Sequence, residues 1–152
     1  MSTTLLALLI CLAAAALEGA LAGSGVRKRL ASLRMPAYSP PFPVWLVIGV
    51  VYYAICFIVL RRLLTGGVTV SLVLLVLVLL ANAFWSILFF RWRDLRASFI
   101  AFIPYAGLVA ALVVSLAGWY RPGAVLFLCY CCYLVYAAWW GYRLWVLNDP
   151  KA

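Results

Sequence analysis

Between Val68 and Phe90 the chain runs for 23 residues without a charged side chain, and Leu72 to Leu80 form an unbroken apolar row. A helix rises ~1.5 Å per residue, so a run of this length crosses a hydrocarbon core of ~30 Å. Only helices and closed barrels satisfy every backbone group in lipid, which leaves such a segment few other folds. One side chain interrupts its uniformity. Asn82 carries an amide with two donors and an acceptor to membrane depth, where an unpaired polar group is costly. At about 100° per residue, Asn82, Trp85 and Phe89 fall on one helix face. That face reads as the wall of a buried pocket whose other walls come from the rest of the chain.

Composition agrees with a lipid setting. Of 152 residues, 70 % are hydrophobic and 10 % charged, against roughly 45–50 % and about 25 % in a soluble domain. Barrel strands alternate in ~10-residue segments, whereas these runs are continuous. The expected fold is therefore an all-α membrane protein, a single domain over residues 1–152. The net charge of +9 would suit a nucleic-acid partner. The basic residues, however, cap the apolar runs, where they set topology and meet lipid headgroups; the expected partner is the bilayer, with no nucleic acid. Histidine is absent and only three acids occur, Glu18, Asp94 and Asp149. That excludes Ser-His-Asp and Cys-His catalysis and His-ligated metal or haem, so no catalytic residue, metal or required cofactor is expected. The five cysteines all lie inside apolar runs and read as small buried hydrophobes rather than thiolates or a disulfide framework.

Five spans are expected, at about 4–23, 44–60, 68–90, 97–119 and 123–147. In the first, Glu18 reads as a carboxylate that snorkels or pairs with the arginines after it, ahead of any role in proton transfer. Gly19 and Gly23 form a small-xxx-small pair that permits close helix packing. The second span places Trp45, Gly49, Tyr52 and Cys56 on one face with Tyr53 beside it, and Gly49 also suits a close-packing notch. Pro104 predicts a kink in the fourth. Between the first two spans, residues 24–43 hold Arg27, Lys28, Arg29 and Arg34 and then Pro36, Pro40, Pro41 and Pro43. That proline density predicts extended or turn backbone, and the partly apolar segment fits a lid over the bundle end as well as a plain connector. Counted by side, those four basic residues join Arg91, Arg93, Arg96, Arg143 and Lys151, against Arg61, Arg62 and Arg121 opposite. The excess predicts an outside N-terminus and a cytoplasmic C-terminus.

The residues also match a family. Met35-Pro36-Ala37-Tyr38-Ser39-Pro40-Pro41 is similar to a "Lys-Pro-x-Trp-x-Pro-Pro" loop, and Asn82-Ala83-Phe84-Trp85-Ser86-Ile87-Leu88-Phe89-Phe90 to an "Asn-x-x-Trp-x-x-x-Phe-Phe" helix. Leu126 to Tyr133, followed by Trp145-Val146-Leu147-Asn148, resembles a last helix of the form "Pro-Tyr-Leu-x-Trp … Arg-x-Asn". In order and spacing the chain resembles the translocator protein family, also called tryptophan-rich sensory proteins or peripheral benzodiazepine receptors. The resemblance implies a five-helix bundle, often a homodimer, with a pocket beneath the first loop. It also implies porphyrin binding, as of protoporphyrin IX, with sterol and drug binding in animal members. The activities it brings are tetrapyrrole or sterol transport, stress sensing and light-dependent porphyrin breakdown. Departures occur where the family tryptophans fall at Gly49, Tyr38 and Tyr133, and where its proline falls at Cys129 and its asparagine at Gly141. No sterol pattern is met near Tyr136 and Arg143.

Tyr133, Tyr136 and Trp140 share a face, with Cys129 one turn before. Taken alone, such a stripe is more often packing than a ligand box. With the family alignment, the candidate ligand-binding set is Tyr38, Trp45, Gly49, Tyr53, Asn82, Trp85, Phe89, Cys129, Tyr133, Tyr136 and Trp140. Flat macrocycles gain from aromatic walls and a few orienting polar groups, and porphyrin propionates would meet Arg27, Lys28, Arg29 or Arg34. The leading expectation is a membrane binding protein, transporter or sensor for tetrapyrroles or similar flat hydrophobic ligands. A light-dependent porphyrin-degrading enzyme and a ligand-free partner-binding protein are its alternatives. The short chain without a transit peptide favours a bacterial membrane.

Overall fold

The computed structural model describes residues 2–66 and 68–149; Lys151, one of the basic residues counted by side, lies outside them. The described residues form helices and connecting turns, with no strand among them. Five of the helices are long and apolar enough to cross a membrane.

Helix α1 (Thr3–Ala22) starts where the Ser2 side chain accepts from the Leu5 N–H at 3.2 Å, and ends at Gly23, whose φ of 76° suits a residue without Cβ. A short helix, α2 (Val26–Ala31), follows in the segment expected to be extended or turn. The prolines begin only at Pro36, so nothing before them forbids helical backbone. Residues 33–41 then run as turn and extended chain to α3 (Phe42–Leu64), which carries Pro43 in its first turn, where a missing N–H costs nothing. α3 continues past Leu60 because Arg61 and Arg62 end the apolar run but sit in the last helical turn, where cations are favoured.

Helix α4 (Thr69–Ser86) passes into a π-helical turn, Ile87–Arg91, closed by the Trp92 N–H on the Ile87 carbonyl at 2.8 Å. Asp94 caps α5 (Leu95–Ala117) by accepting from the Ala97 N–H at 2.8 Å. Pro104 lies within α5. The last helix, α6 (Arg121–Asn148), starts two residues before the expected span, with Pro122 in its first turn. Its 28 residues would extend roughly 42 Å, more than the ~30 Å hydrocarbon core; its C-terminal turns therefore stand clear to back the first loop.

The long helices close a ring: α1 packs on α3 and α4, α4 on α5, α5 on α6, and α6 returns to α3, while α3 also touches α4. The two ends of this ring differ. Toward the α3–α4 and α5–α6 turns the interior is solid, with Cys56, Val59, Leu60, Leu75, Val78, Val109, Leu112, Leu116 and Phe127 essentially inaccessible. Toward the first loop a smaller cluster of Phe89, Trp140 and Leu144 is roofed by Leu30 and Leu33. The outer surface is apolar on every long helix, as at Leu12, Val47, Val50, Val70, Ile103, Val114 and Val135. A skin of that kind is covered by lipid, and the chain is an integral, multi-pass membrane protein.

Candidate functional site

The polar centre is built on the α1 carboxylate. Glu18 Oε2 accepts from the Tyr53 hydroxyl at 2.7 Å and from Asn82 Nδ2 at 2.9 Å, and its Oε1 accepts from Ser86 Oγ at 3.2 Å. Glu18 therefore neither snorkels nor pairs with an arginine: α1, α3 and α4 each bring a polar group to one point, and the amide of Asn82 finds its partner there. Asn82 and Ser86 are one helical turn apart on α4 and reach the same carboxylate.

An aromatic partition stands beside it. Trp85 and Phe89 stack with centroids 4.9 Å apart, and Phe90 meets both edge-on at 6.4 and 4.8 Å. A π-turn takes up an extra residue, which is how Trp85 touches side chains four and five positions ahead. Trp85 Nε1 donates to the Ser98 carbonyl at 3.1 Å, fixing the indole against α5. Trp140 continues the wall, 6.0 Å from Phe89 and 4.8 Å from Trp45.

This partition separates two spaces. A small, partly open cavity of about 90 Å³ lies between α4, α5 and α6, lined on its far side by Ser98, Phe102, Tyr105 and Tyr130. A groove of about 770 Å³ lies between α1, α3 and α4, with Glu18, Tyr53 and Ser86 at its depth. Exposed Leu8, Leu12, Leu46 and Val50 form its rim, so it opens sideways onto the lipid face.

The first loop is tied down as a roof. Asn148 brackets Arg34, its Oδ1 accepting from the Arg34 N–H at 2.9 Å and its Nδ2 donating to the Arg34 carbonyl at 3.0 Å. Tyr136 donates to the Tyr38 carbonyl at 3.1 Å and Trp140 Nε1 to Ser39 Oγ at 2.8 Å. Arg29 Nη2 donates to the Arg93 carbonyl at 3.1 Å; burial, and then the positive charge of Arg93, lower the pKa of Arg29.

Of the residues singled out in the sequence, Trp45, Asn82, Trp85, Phe89, Tyr133 and Trp140 line both spaces, and Gly49 and Tyr53 line the groove. Gly49 is not a packing notch, since a Cβ there would meet nothing within 4 Å, and the same is true of Gly19 and Gly23. Cys129 and Tyr136 line neither space. The inward face of α6 also takes in Tyr130, Leu134, Ala137 and Gly141, and so is turned away from these two; Cys129 is exposed. Tyr38 is 90 % exposed, because its φ of 64° turns the ring outward and only its carbonyl faces the bundle. Arg27, Lys28, Arg29 and Arg34 line neither space either; on α2 it is Val26 and Leu30 that face the groove. Tyr105 and Tyr130, whose hydroxyls meet at 2.8 Å, were not anticipated, and nothing in their spacing marks them. For Glu18 a signal existed: an acid inside a span is rare without a partner.

A sequence model matches residues 7–146 of the chain, a stretch that takes in most of α1 and α6 and everything between; it describes the TspO/MBR family. Comparison with curated proteins finds no match.

Proposed function

The chain belongs to the TspO/MBR family, and from that premise we propose that it binds a flat hydrophobic ligand of the tetrapyrrole class in the groove between α1, α3 and α4, in the service of transport or sensing. Size favours the groove over the small cavity. Pockets for ligands of this scale measure roughly 300–1,000 Å³, a range that contains the groove at about 770 Å³ and excludes the cavity at about 90 Å³. The observation that carries the reading is the aromatic partition of Trp45, Trp85, Phe89 and Trp140 along one side of that groove. A macrocycle shedding water against such a wall gains both apolar burial and ring stacking.

In this reading the propionates of a porphyrin point to the groove mouth. There Arg27 and Lys28 are exposed beside Val26 and Leu30, and carboxylates away from Glu18 avoid like-charge repulsion. The excess of basic residues on the loop side also leads us to place the roof and the C-terminus in the cytoplasm. Titration with protoporphyrin IX, followed by its absorbance and by tryptophan quenching, tests the proposal. Trp85→Leu removes a stacking partner worth roughly 0.5–1.5 kcal/mol, so affinity falls about two- to tenfold, and Asn82→Leu weakens binding by loosening Glu18. Equal titrations for wild type and both variants would discard the groove as the site.

A further inference from the structure

Glu18 is the only acid inside the five long helices, since Asp94 and Asp149 sit at helix ends. All three of its hydrogen-bond partners, Tyr53, Asn82 and Ser86, are neutral, and no Lys or Arg pairs with it among the described residues. Charges at membrane depth are ordinarily matched by an opposite charge. Arg29, in the basic run that follows α1, is turned to the Arg93 carbonyl instead.

The two carboxylate oxygens are unequally used. Oε2 takes both short bonds, at 2.7 and 2.9 Å, whereas Oε1 has only Ser86 at 3.2 Å. An O–H···O bond ordinarily measures roughly 2.5–3.0 Å and a carboxylate offers about four acceptor positions, so Oε1 is nearly unspent. Glu18 lines the groove whose rim, at Leu8, Leu12, Leu46 and Val50, is exposed to lipid.

We propose that the groove admits, from the lipid side, a flat amphiphile bearing a protonated amine, whose ammonium group pairs with Glu18 at Oε1 while its apolar body lies along Trp45, Trp85 and Phe89. The proposal rests on reading the groove as a ligand site, and it adds a charge preference that the aromatic wall alone does not supply. Tyr53 and Asn82 then act as positioning residues that hold Oε2 and leave Oε1 to the ligand.

The test uses two probes of one shape, 1-pyrenemethylamine and 1-pyrenemethanol, added to the full-length protein in a non-ionic detergent and read by energy transfer from tryptophan to pyrene. Partition into detergent is the same for wild type and Glu18→Gln, so the comparison between proteins isolates the carboxylate. Wild type is expected to bind the amine about tenfold more tightly than the alcohol, the gain of one charge-assisted hydrogen bond. Glu18→Gln removes that preference, so that the two probes bind it alike. Should Glu18→Gln fail to fold, the wild-type melting temperature decides: the amine must raise it more than the alcohol at equal concentration. Equal binding of the two probes, or a preference that survives in Glu18→Gln, overturns the proposal. If neither pyrene compound binds while protoporphyrin IX does, the charge preference is wrong and the groove stands; if none of the three binds, both readings fall.

Discussion

Replacing Tyr53 by Phe removes one oxygen and keeps the ring, so it isolates the shortest bond in the polar centre, the 2.7 Å contact from the hydroxyl to Glu18 Oε2. Two magnitudes bracket the cost. Hydrogen bonds to charged groups contribute roughly 1.5–3 kcal/mol in proteins, while interhelical bonds measured within a membrane average about 0.6 and reach about 1.7 kcal/mol. Glu18 retains Asn82 and Ser86 after the change, so the lost bond does not leave a bare carboxylate. We therefore expect a loss of about 1–1.5 kcal/mol, or roughly 3–5 °C in melting temperature for a chain of this size. The assay is unfolding of purified protein in mixed micelles by increasing mole fraction of SDS, run as a double-mutant cycle with Glu18→Gln. A coupling above about 0.5 kcal/mol is required, because uncoupled sites add within roughly 0.3–0.5 kcal/mol. Tyr133→Phe serves as the matched control, since the Tyr133 hydroxyl makes no hydrogen bond among the described residues. If Tyr53→Phe is as stable as this control, or loses as much in the Glu18→Gln background, the three-helix junction does not hold α1 in the way described.

Asn148→Ala deletes both bonds to Arg34 at about 1 kcal/mol each, so trypsin cleavage after Arg27 to Arg34 should accelerate about thirtyfold with the helices intact; an unchanged digestion pattern would show that the roof is held by other contacts. Gly49→Ala should be neutral or stabilising by roughly 0.5–1 kcal/mol, because its Cβ meets nothing within 4 Å. Gly49→Phe should instead fill the groove and reduce protoporphyrin IX binding without loss of stability, and undiminished binding would move the ligand elsewhere. For orientation, green fluorescent protein fused to the C-terminus should fluoresce in a bacterial host and alkaline phosphatase at the same point should be inactive; the opposite pair of outcomes reverses the topology.

The helices were legible because their cause is local. An apolar run of about 20 residues bounded by charges has few options in lipid, and Val68–Phe90 states this directly. Their ends were less so. Arg61 and Arg62 stop the apolar run but extend the helix, and the basic stretch Val26–Ala31 is helical although prolines follow. The π-turn at Ile87–Arg91 left no mark in the residue pattern, because an apolar run reads the same at either helical pitch. Aromatic positions fared better on α4 than on α6. Trp85 and Phe89 face inward as their spacing implied, whereas α6 is aromatic on several sides, and only its packing on α5 and α3 decides that Tyr130 faces inward and Cys129 does not.

The polar centre escaped a reading one helix at a time because it exists only where three helices meet. Glu18, Tyr53 and Asn82 lie far apart in sequence, and each alone has an ordinary explanation. Together they account for how α1 is held. Its buried residues, Ala7 and Cys11, both lie in its N-terminal half, against the solid end of the bundle. In its other half α1 borders the open groove, where the Glu18 bonds to α3 and α4 add to its contact with the π-turn. A helix packed closely at one end, and held at the other by a carboxylate and contact with the π-turn, yields first at the carboxylate end. The side on which the groove opens to the bilayer is therefore the side where Glu18 pins α1.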